Sequence, residues 1–558
     1  MPGYRRCRLA GGQRLWWCTL VRRQKSGADV AQYTRSMCRA SILSFLAATS
    51  LAAFALAVES QAQSPAGPRF EVTLEVSMSP QSDGRLLVVL APAGNPEPRR
   101  LIGRTGTGAS PILGRDVRGF TPGQTVTLDG TSALFPLEDL EDLEPGTYAV
   151  QAVLLTNRDL RSPTAPGTQY SRPVSVTLGA EAGAVIRLHL DQELPPETLP
   201  ADDGLLRYVR IRSELLSSFH GRPIYLRAGV ILPVRYDDEP DRKYPVRVRT
   251  GGYGARYTAI RRLMRPGHPF RAAWMADDAP QMLLLHLDGT GPFGDPYQVN
   301  SANNGPYGDA VTQELIPYVE ERFRGLGRAG SRVLDGSSTG GWVSLALQIF
   351  YPDYFGGAWA SCPDSVDFRG FQLVNIYADD SAYLDARGDD LASARGRDGE
   401  IRFTMRHELR LENVLGEGDR WTMSGGQWGA WNAAYGPRGP DGLPQPLWDP
   451  VTGRLDRAVA RQWERYDLRR VLEVGWDQLA PQLKGKLNIW VGEMDDYFLE
   501  DAVHLLDGWL ASRPGLDVRI EYGAGRGHCW TGISASEMLQ EMSSATAPPA
   551  RDGAGAER

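Results

Sequence analysis

Cysteine is scarce in this chain of 558 residues, with five in all, and Cys7, Cys18 and Cys38 fall within the first 62 positions. The two that remain, Cys362 and Cys529, allow one disulfide at most. That excludes a disulfide-built scaffold and a four-ligand zinc site, and no Cys-x-x-Cys pair occurs. Long apolar runs are also missing beyond residue 57, so no later stretch is fit to cross a bilayer. An excess of basic charge is absent too. Without residues 1–62 the chain keeps 52 Lys+Arg against 65 Asp+Glu, a net charge of −13. Such an acidic protein argues against nucleic acid or an anionic membrane surface as partner. The remaining composition, 42% hydrophobic and 23% charged, is that of a folded globular protein with room for two to four domains.

Residues 1–36 are Arg-rich without apolar periodicity and read as a spurious or disordered extension. Met37-Cys38-Arg39 then opens a short basic region, followed by the nearly unbroken apolar run 42–57. This reads as a secretory signal over 37–62, cut after the small residues Ser60 and Ala62. The mature protein is then secreted or periplasmic, with a membrane anchor as the competing reading.

From residue 68 to about 190, apolar and polar residues alternate in short segments, among them Phe70 to Val76, Thr125 to Leu128, Tyr148 to Leu155 and Val174 to Leu178. Gly, Pro and Asn/Asp clusters separate them. The spacing predicts an all-β sandwich of immunoglobulin-like type, acting as a packing domain or a binding module. The Pro- and acid-rich stretch 191–204 is the expected linker. Residues 205–542 change character again. Two segments alternate like antiparallel strands, from Ile224 and from Tyr244, the second ending in a Gly-rich turn. Met282 to Leu287 is a continuous apolar strand, and helical and strand patterns then alternate to residue 522. That order predicts an α/β doubly wound, mostly parallel sheet, whose ligands sit beyond the carboxyl ends of the strands. Residues 543–558 read as a disordered tail.

The candidate chemistry starts at Gly336-Ser337-Ser338-Thr339-Gly340, a Gly-x-Ser-x-Gly between an apolar strand and a helical pattern. At such a nucleophile elbow a strained serine stands clear of the sheet, at the N-terminus of the next helix. A serine hydroxyl needs a histidine base, itself oriented by a carboxylate. Three histidines follow Ser338. His407 and His504 sit in helical patterns, whereas His528 lies in the flexible loop Gly523 to Trp530 after the last strand, and is the expected base. The acid belongs just past the strand 487–491, where Asp495 is preferred and Asp496 is the second choice. Oxyanion donors are expected from the backbone of Thr339 and from the Gly252-Tyr253 turn, with Gly289-Thr290 as the rival turn.

Tyr244-Pro245-Val246, Glu314 to Glu320, Gly-x-Ser-x-Gly-Gly at 336–341, Gly492-x-x-Asp495 and Gly527-His528-x-Trp530 occur in an order and context that resemble the putative esterase family. That family includes enterochelin esterases, S-formylglutathione hydrolase, and feruloyl and acetylxylan esterases. The resemblance implies an α/β-hydrolase fold with Ser338, Asp495 and His528 as triad, and neither metal nor organic cofactor. The substrate would be a small-molecule or carbohydrate-linked ester. Ser337 and Thr339 depart from the residues usual beside the nucleophile, and a long insertion runs from 364 to 466. Because the family also holds acyltransferases, an acyltransferase with the same triad is an alternative, and so is a non-catalytic carbohydrate-binding protein. The insertion carries Trp421, Trp428, Trp431 and Trp448, expected either to stack on a sugar or aromatic ring or to form a small core of their own. Cys362 and Cys529 both fall at the carboxyl edge of the sheet, which suggests a disulfide tethering the histidine loop.

Overall fold

The computed structural model describes residues 67–78, 83–179 and 183–547. The readings made for 1–36 and 37–62, and the end of the tail at 548–558, lie outside the described residues. Among the described residues no helix is long and apolar enough to cross a membrane.

The N-terminal region is all β. Its nine strands form one hydrogen-bonded sheet rather than two separately bonded ones, eight along a single path and Val174–Leu178 paired off it with Gly146–Leu155, and Arg69–Leu74 runs parallel to Val185–Glu193. The strand Asp83–Pro92 shows why it sits where it does. Leu86, Val88 and Leu90 face the core of the β region, while Leu87 and Val89 face away from it. A strand buried on both faces needs a second apolar partner. Leu411 and Val414 of the insertion helix Met405–Leu415 supply it. The last strand runs to Glu193, three residues into the expected linker.

The second sheet has eight strands: β1 (Leu206–Ser213), β2 (Ile224–Ile231), β3 (Val246–Thr250), β4 (Leu283–Leu287), β5 (Arg332–Ser337), β6 (Ala358–Ser361), β7 (Leu487–Gly492) and β8 (Arg519–Gly523). Their spatial order is β1-β2-β4-β3-β5-β6-β7-β8. β1, β2 and β4 pair antiparallel, and every pairing from β4 through β8 is parallel. Parity along β4 accounts for its unbroken apolar run. Leu283, Leu285 and Leu287 pack toward the helix after β5, while Met282 and Leu284 pack on the opposite face against Ile260, Phe270 and Leu539.

β3 corrects the sequence reading, for it is parallel to both neighbours. Its alternation of Val and Arg does not mark a solvated face. Arg247 is buried with Asp335 of β5, its Nε and Nη2 each 2.8 Å from the carboxylate oxygens, and Arg249 reaches the same carboxylate. The final helix, Ala535–Ala545, also runs past the expected boundary at 542. A capping box of Ser534 and Glu537 starts it, and Leu539 and Met542 bury its inner face.

Candidate active site

Ser338 occupies the turn between β5 and the helix Thr339–Phe350 with φ 58° and ψ −125°. A non-glycine residue holds such angles only when its surroundings over-determine them. Here close packing does so. A Cβ on Gly336 would lie 2.2 Å from the Gly340 carbonyl oxygen, and one on Gly340 would lie 2.1 Å from that of Thr250. The first amides of the elbow helix have no partner within the helix and point to the carboxyl edge of the sheet.

The expected acid and base come from the loops that follow β7 and β8. Asp495 is fully buried, and its Oδ2 lies 2.9 Å from His528 Nδ1 while its Oδ1 accepts from the Tyr497 amide. Asp496 turns the other way and accepts from the backbone N–H of His528 at 3.3 Å. The two adjacent carboxylates thus divide the histidine between them, one on the imidazole and one on the chain that carries it. Tyr497 packs edge-on against the imidazole at 4.9 Å. Beside it opens a cleft of about 560 Å³ lined by Arg395, Arg397, Phe403, Asp496 and Tyr497. Burial pulls His528 down, but the Asp495 carboxylate and the neighbouring Cys529 more than reverse this and lift it to about 10. The other two late histidines are occupied elsewhere: His407 accepts from the Gly106 amide and His504 stacks on Tyr522.

The Gly252-Tyr253 turn stands against the nucleophile, a Cβ on Gly252 lying 3.9 Å from the Ser338 Cβ. Asp295 holds this turn by accepting from the Gly254 amide at 3.1 Å and the Tyr297 amide at 3.0 Å. Burial pushes the Asp295 carboxyl up to about 6. The rival turn does something else, since the Gly289 amide is bound to the Ala255 carbonyl and so braces the Gly252 loop from behind.

Sequence reasoning missed Asp364, which it took only as the start of the insertion. The Ser338 hydroxyl donates to Asp364 Oδ1 at 3.3 Å, and Ser338 and His528 are not hydrogen-bonded to one another. Asp364 Oδ2 accepts from Tyr297 Oη, Thr339 Oγ1, Trp431 Nε1 and Gln427 Nε2 at 2.9, 3.0, 3.2 and 3.3 Å. Burial pushes its carboxyl up. A signal was present in the chain, since a polar residue three positions past β6 falls at the carboxyl edge.

The insertion closes over this cluster through the helix Gln427–Tyr435. Trp421, Trp428, Trp431 and Trp448 are each at most 2% exposed. Trp421 stacks on Trp448, and Trp428 meets Trp431 edge-on. They form a core, and no face is left for a sugar ring. Glu412 seats the helix by accepting from the Trp428 and Gly429 amides, and burial lifts its carboxyl to about 8. Cys362 Sγ and Cys529 Sγ are in contact as thiols. With His528 they bring three candidate donor atoms within 4.8 Å of one another.

Residues 226–475 match the family described as "Putative esterase". That span takes in Ser338 and the insertion and ends before Asp495 and His528. No curated protein matches the chain. Among solved structures it is similar to a ferulic acid esterase (13% identity, 61% of this chain and 97% of the other, TM-score 0.38). It is also similar to S-formylglutathione hydrolase from Agrobacterium tumefaciens (12%, 63% and 99%, TM-score 0.37). A third is the fluorophosphonate-binding serine hydrolase F of Staphylococcus aureus (14%, 62% and 98%, TM-score 0.36). The match over residues 226–475, a little under half of the chain, makes this stretch similar to the putative esterase family, and the activity it supports is carboxylic ester hydrolysis.

Proposed function

We propose that the protein is an exported serine esterase that works through an acyl-enzyme on Ser338. The observation that carries this reading is the contact of His528 Nδ1 with the buried Asp495, at the sheet edge where the strained Ser338 stands. With Nδ1 committed to the carboxylate, Nε2 is the free base. The serine hydroxyl rotates from Asp364 to Nε2 and gives up its proton as Oγ bonds to the acyl carbon. Charge develops on the carbonyl oxygen, toward the amides of Thr339 and of the Gly252-Tyr253 turn. The imidazolium returns the proton to the departing alkoxide as the ester C–O bond breaks. Water then enters, His528 takes a proton from it as its oxygen bonds to the acyl carbon, and the C–Oγ bond breaks as the imidazolium returns that proton to Oγ, releasing the acid. Asp495 holds the imidazolium throughout without taking the proton. The buried tryptophans favour this reading over a carbohydrate-binding protein.

We read the N-terminal β region as an immunoglobulin-like buttress. Its support is contact with the second region: Arg85 donates to the Val414 carbonyl of the insertion at 2.9 Å, and Arg161 to the Met423 carbonyl of the insertion and to the Pro292 carbonyl after β4.

Ser338→Ala should lower turnover of a short-chain activated ester by about 10³-fold or more with an unchanged circular dichroism spectrum. A fluorophosphonate probe should label the wild type and not this variant. Ordinary turnover by a folded Ser338→Ala protein would end the proposal.

A further inference from the structure

Among the described residues Asp364 is the one carboxylate hydrogen-bonded to the proposed nucleophile itself, and the triad has no use for it. At 2% exposed it is buried, yet its partners are all neutral hydrogen-bond donors, drawn from three parts of the chain. The indole N–H of Trp431 can only donate. The hydroxyls of Tyr297 and Thr339 both lie within hydrogen-bond distance of the same oxygen, Oδ2, and 3.1 Å from one another. A carboxylate so surrounded by donors is held as an acceptor. Oδ1 differs: its side-chain partner is Ser338, at 3.3 Å.

That single bond cannot survive the reaction. When Ser338 turns to His528, Oδ1 loses its donor. Once Oγ carries an acyl group, the carboxylate oxygen faces an ester oxygen that has no proton to give. A buried anionic oxygen left without a donor is strongly unfavourable. Through the life of the acyl-enzyme the alcohol has departed, so the bound acyl chain is the part of the substrate that remains to fill the gap. The acyl carbon is bonded to Oγ, and a substituent on the next carbon lies within hydrogen-bond reach of an atom 3.3 Å from Oγ.

We infer that Asp364 is a substrate-recognition residue that selects acyl groups bearing a hydrogen-bond donor, a hydroxyl or an ammonium, on the carbon beside the ester carbonyl. The donor takes the place of the Ser338 hydroxyl on Oδ1 and thereby releases the hydroxyl to His528. Binding of the right acyl group and freeing of the nucleophile are then one event. An acyl group without a donor must instead leave Oδ1 bare, and is slowed in both acylation and deacylation. This inference rests on the serine-esterase reading above.

The test uses phenyl esters of propanoic, 2-hydroxypropanoic, 2-aminopropanoic and 2-methoxypropanoic acid, with kcat/KM divided by each ester's own rate of hydroxide hydrolysis. The wild type should favour at least one of the two donor-bearing esters over the propanoate by about ten-fold or more. Which of the two wins tells a hydroxyl from an ammonium ligand. The methoxy ester keeps the bulk and the electron withdrawal but cannot donate, and should fall to the level of the propanoate. Asp364→Asn should bring the preference within about three-fold. The methoxy comparison needs no variant, so it decides the matter even if Asp364→Asn fails to fold. Equal rates for all four esters in the wild type, or a preference untouched by Asp364→Asn, would overturn the inference. Absence of both ester turnover and fluorophosphonate labelling would instead bring down the esterase reading beneath it.

Discussion

The two sides of β5, the strand that leads into Ser338, bury the same kind of residue in opposite ways. Behind it, Asp335 of β5 is neutralised by two guanidiniums, Arg247 and Arg249, packed near Phe270 and Met538. In front of it, Asp364 is held by neutral donors alone and Asp495 by an imidazole and an amide. Burial pushes at the carboxyl of Asp335 too, but the two arginines more than reverse it and hold it below the ordinary range, whereas Asp364 is pushed up. The difference teaches what separates structural from chemical acids here. A carboxylate already paired with charge has no attraction left for a substrate or a proton in flight, and one held by dipoles keeps it.

The sharpest way to break the comparison is on the front side. Asp495→Asn should lower kcat by about 10³–10⁴-fold while leaving the thermal midpoint nearly in place, because the imidazole loses its tautomer and not its packing. Asp496→Asn, which touches only the His528 amide, should stay within about ten-fold of wild type. If steady-state kinetics ranked the two in reverse, Asp496 would be the acid.

On the back side the loss should be one of stability. Asp335→Ala leaves two guanidiniums facing a void and should destabilise the fold by about 3–5 kcal/mol in urea denaturation at pH 7. The sign with pH follows from the lowered carboxyl. Its contribution is fully present above the unfolded value, about 4, and is lost as pH falls through the lower folded value. The gap between wild type and variant should therefore narrow on strong acidification, and a gap that widened there would contradict the assignment.

The smallest expected effect concerns the thiols. The contact with Cys362 outweighs burial and, with His528, brings the Cys529 thiol down to about 6. Its thiolate helps to hold a proton on His528, so in the reduced protein the base form appears only at higher pH. Oxidation by an added disulfide reagent to a Cys362–Cys529 bridge removes the thiolate. The acid limb of kcat/KM should then move to lower pH, with thiol titration reporting the loss of both thiols. Superimposable profiles for the reduced and oxidised protein would refute the coupling.

Some of the wrong readings share a physical cause. The segment from Tyr244 reads as an antiparallel strand because its valines and arginines alternate, and only the strand alongside shows that Asp335 meets Arg247 in a buried parallel pairing. The four tryptophans of the insertion read equally well as a sugar platform or a core. The decision rests on packing between Trp421 and Trp448, 27 positions apart, which no local pattern records. Asp364 hides because its partners come from residues 297, 339, 427 and 431, and nothing in the stretch around it hints at them.

What the chain determined by itself is what local chemistry dictates. The small residues at 336, 340 and 341 demand a tight turn around Ser338, the apolar parity of β4 demands burial on both faces, and a histidine in a glycine-rich loop after the last strand is free to reach a serine. The tertiary structure decided what depends on distance between remote residues: that Asp495 and not Asp496 meets the imidazole, that the insertion packs its tryptophans inward, and that the resting serine donates its hydrogen bond to Asp364. Direction and burial of a side chain are set by neighbours brought together only on folding, and a linear pattern carries no record of them.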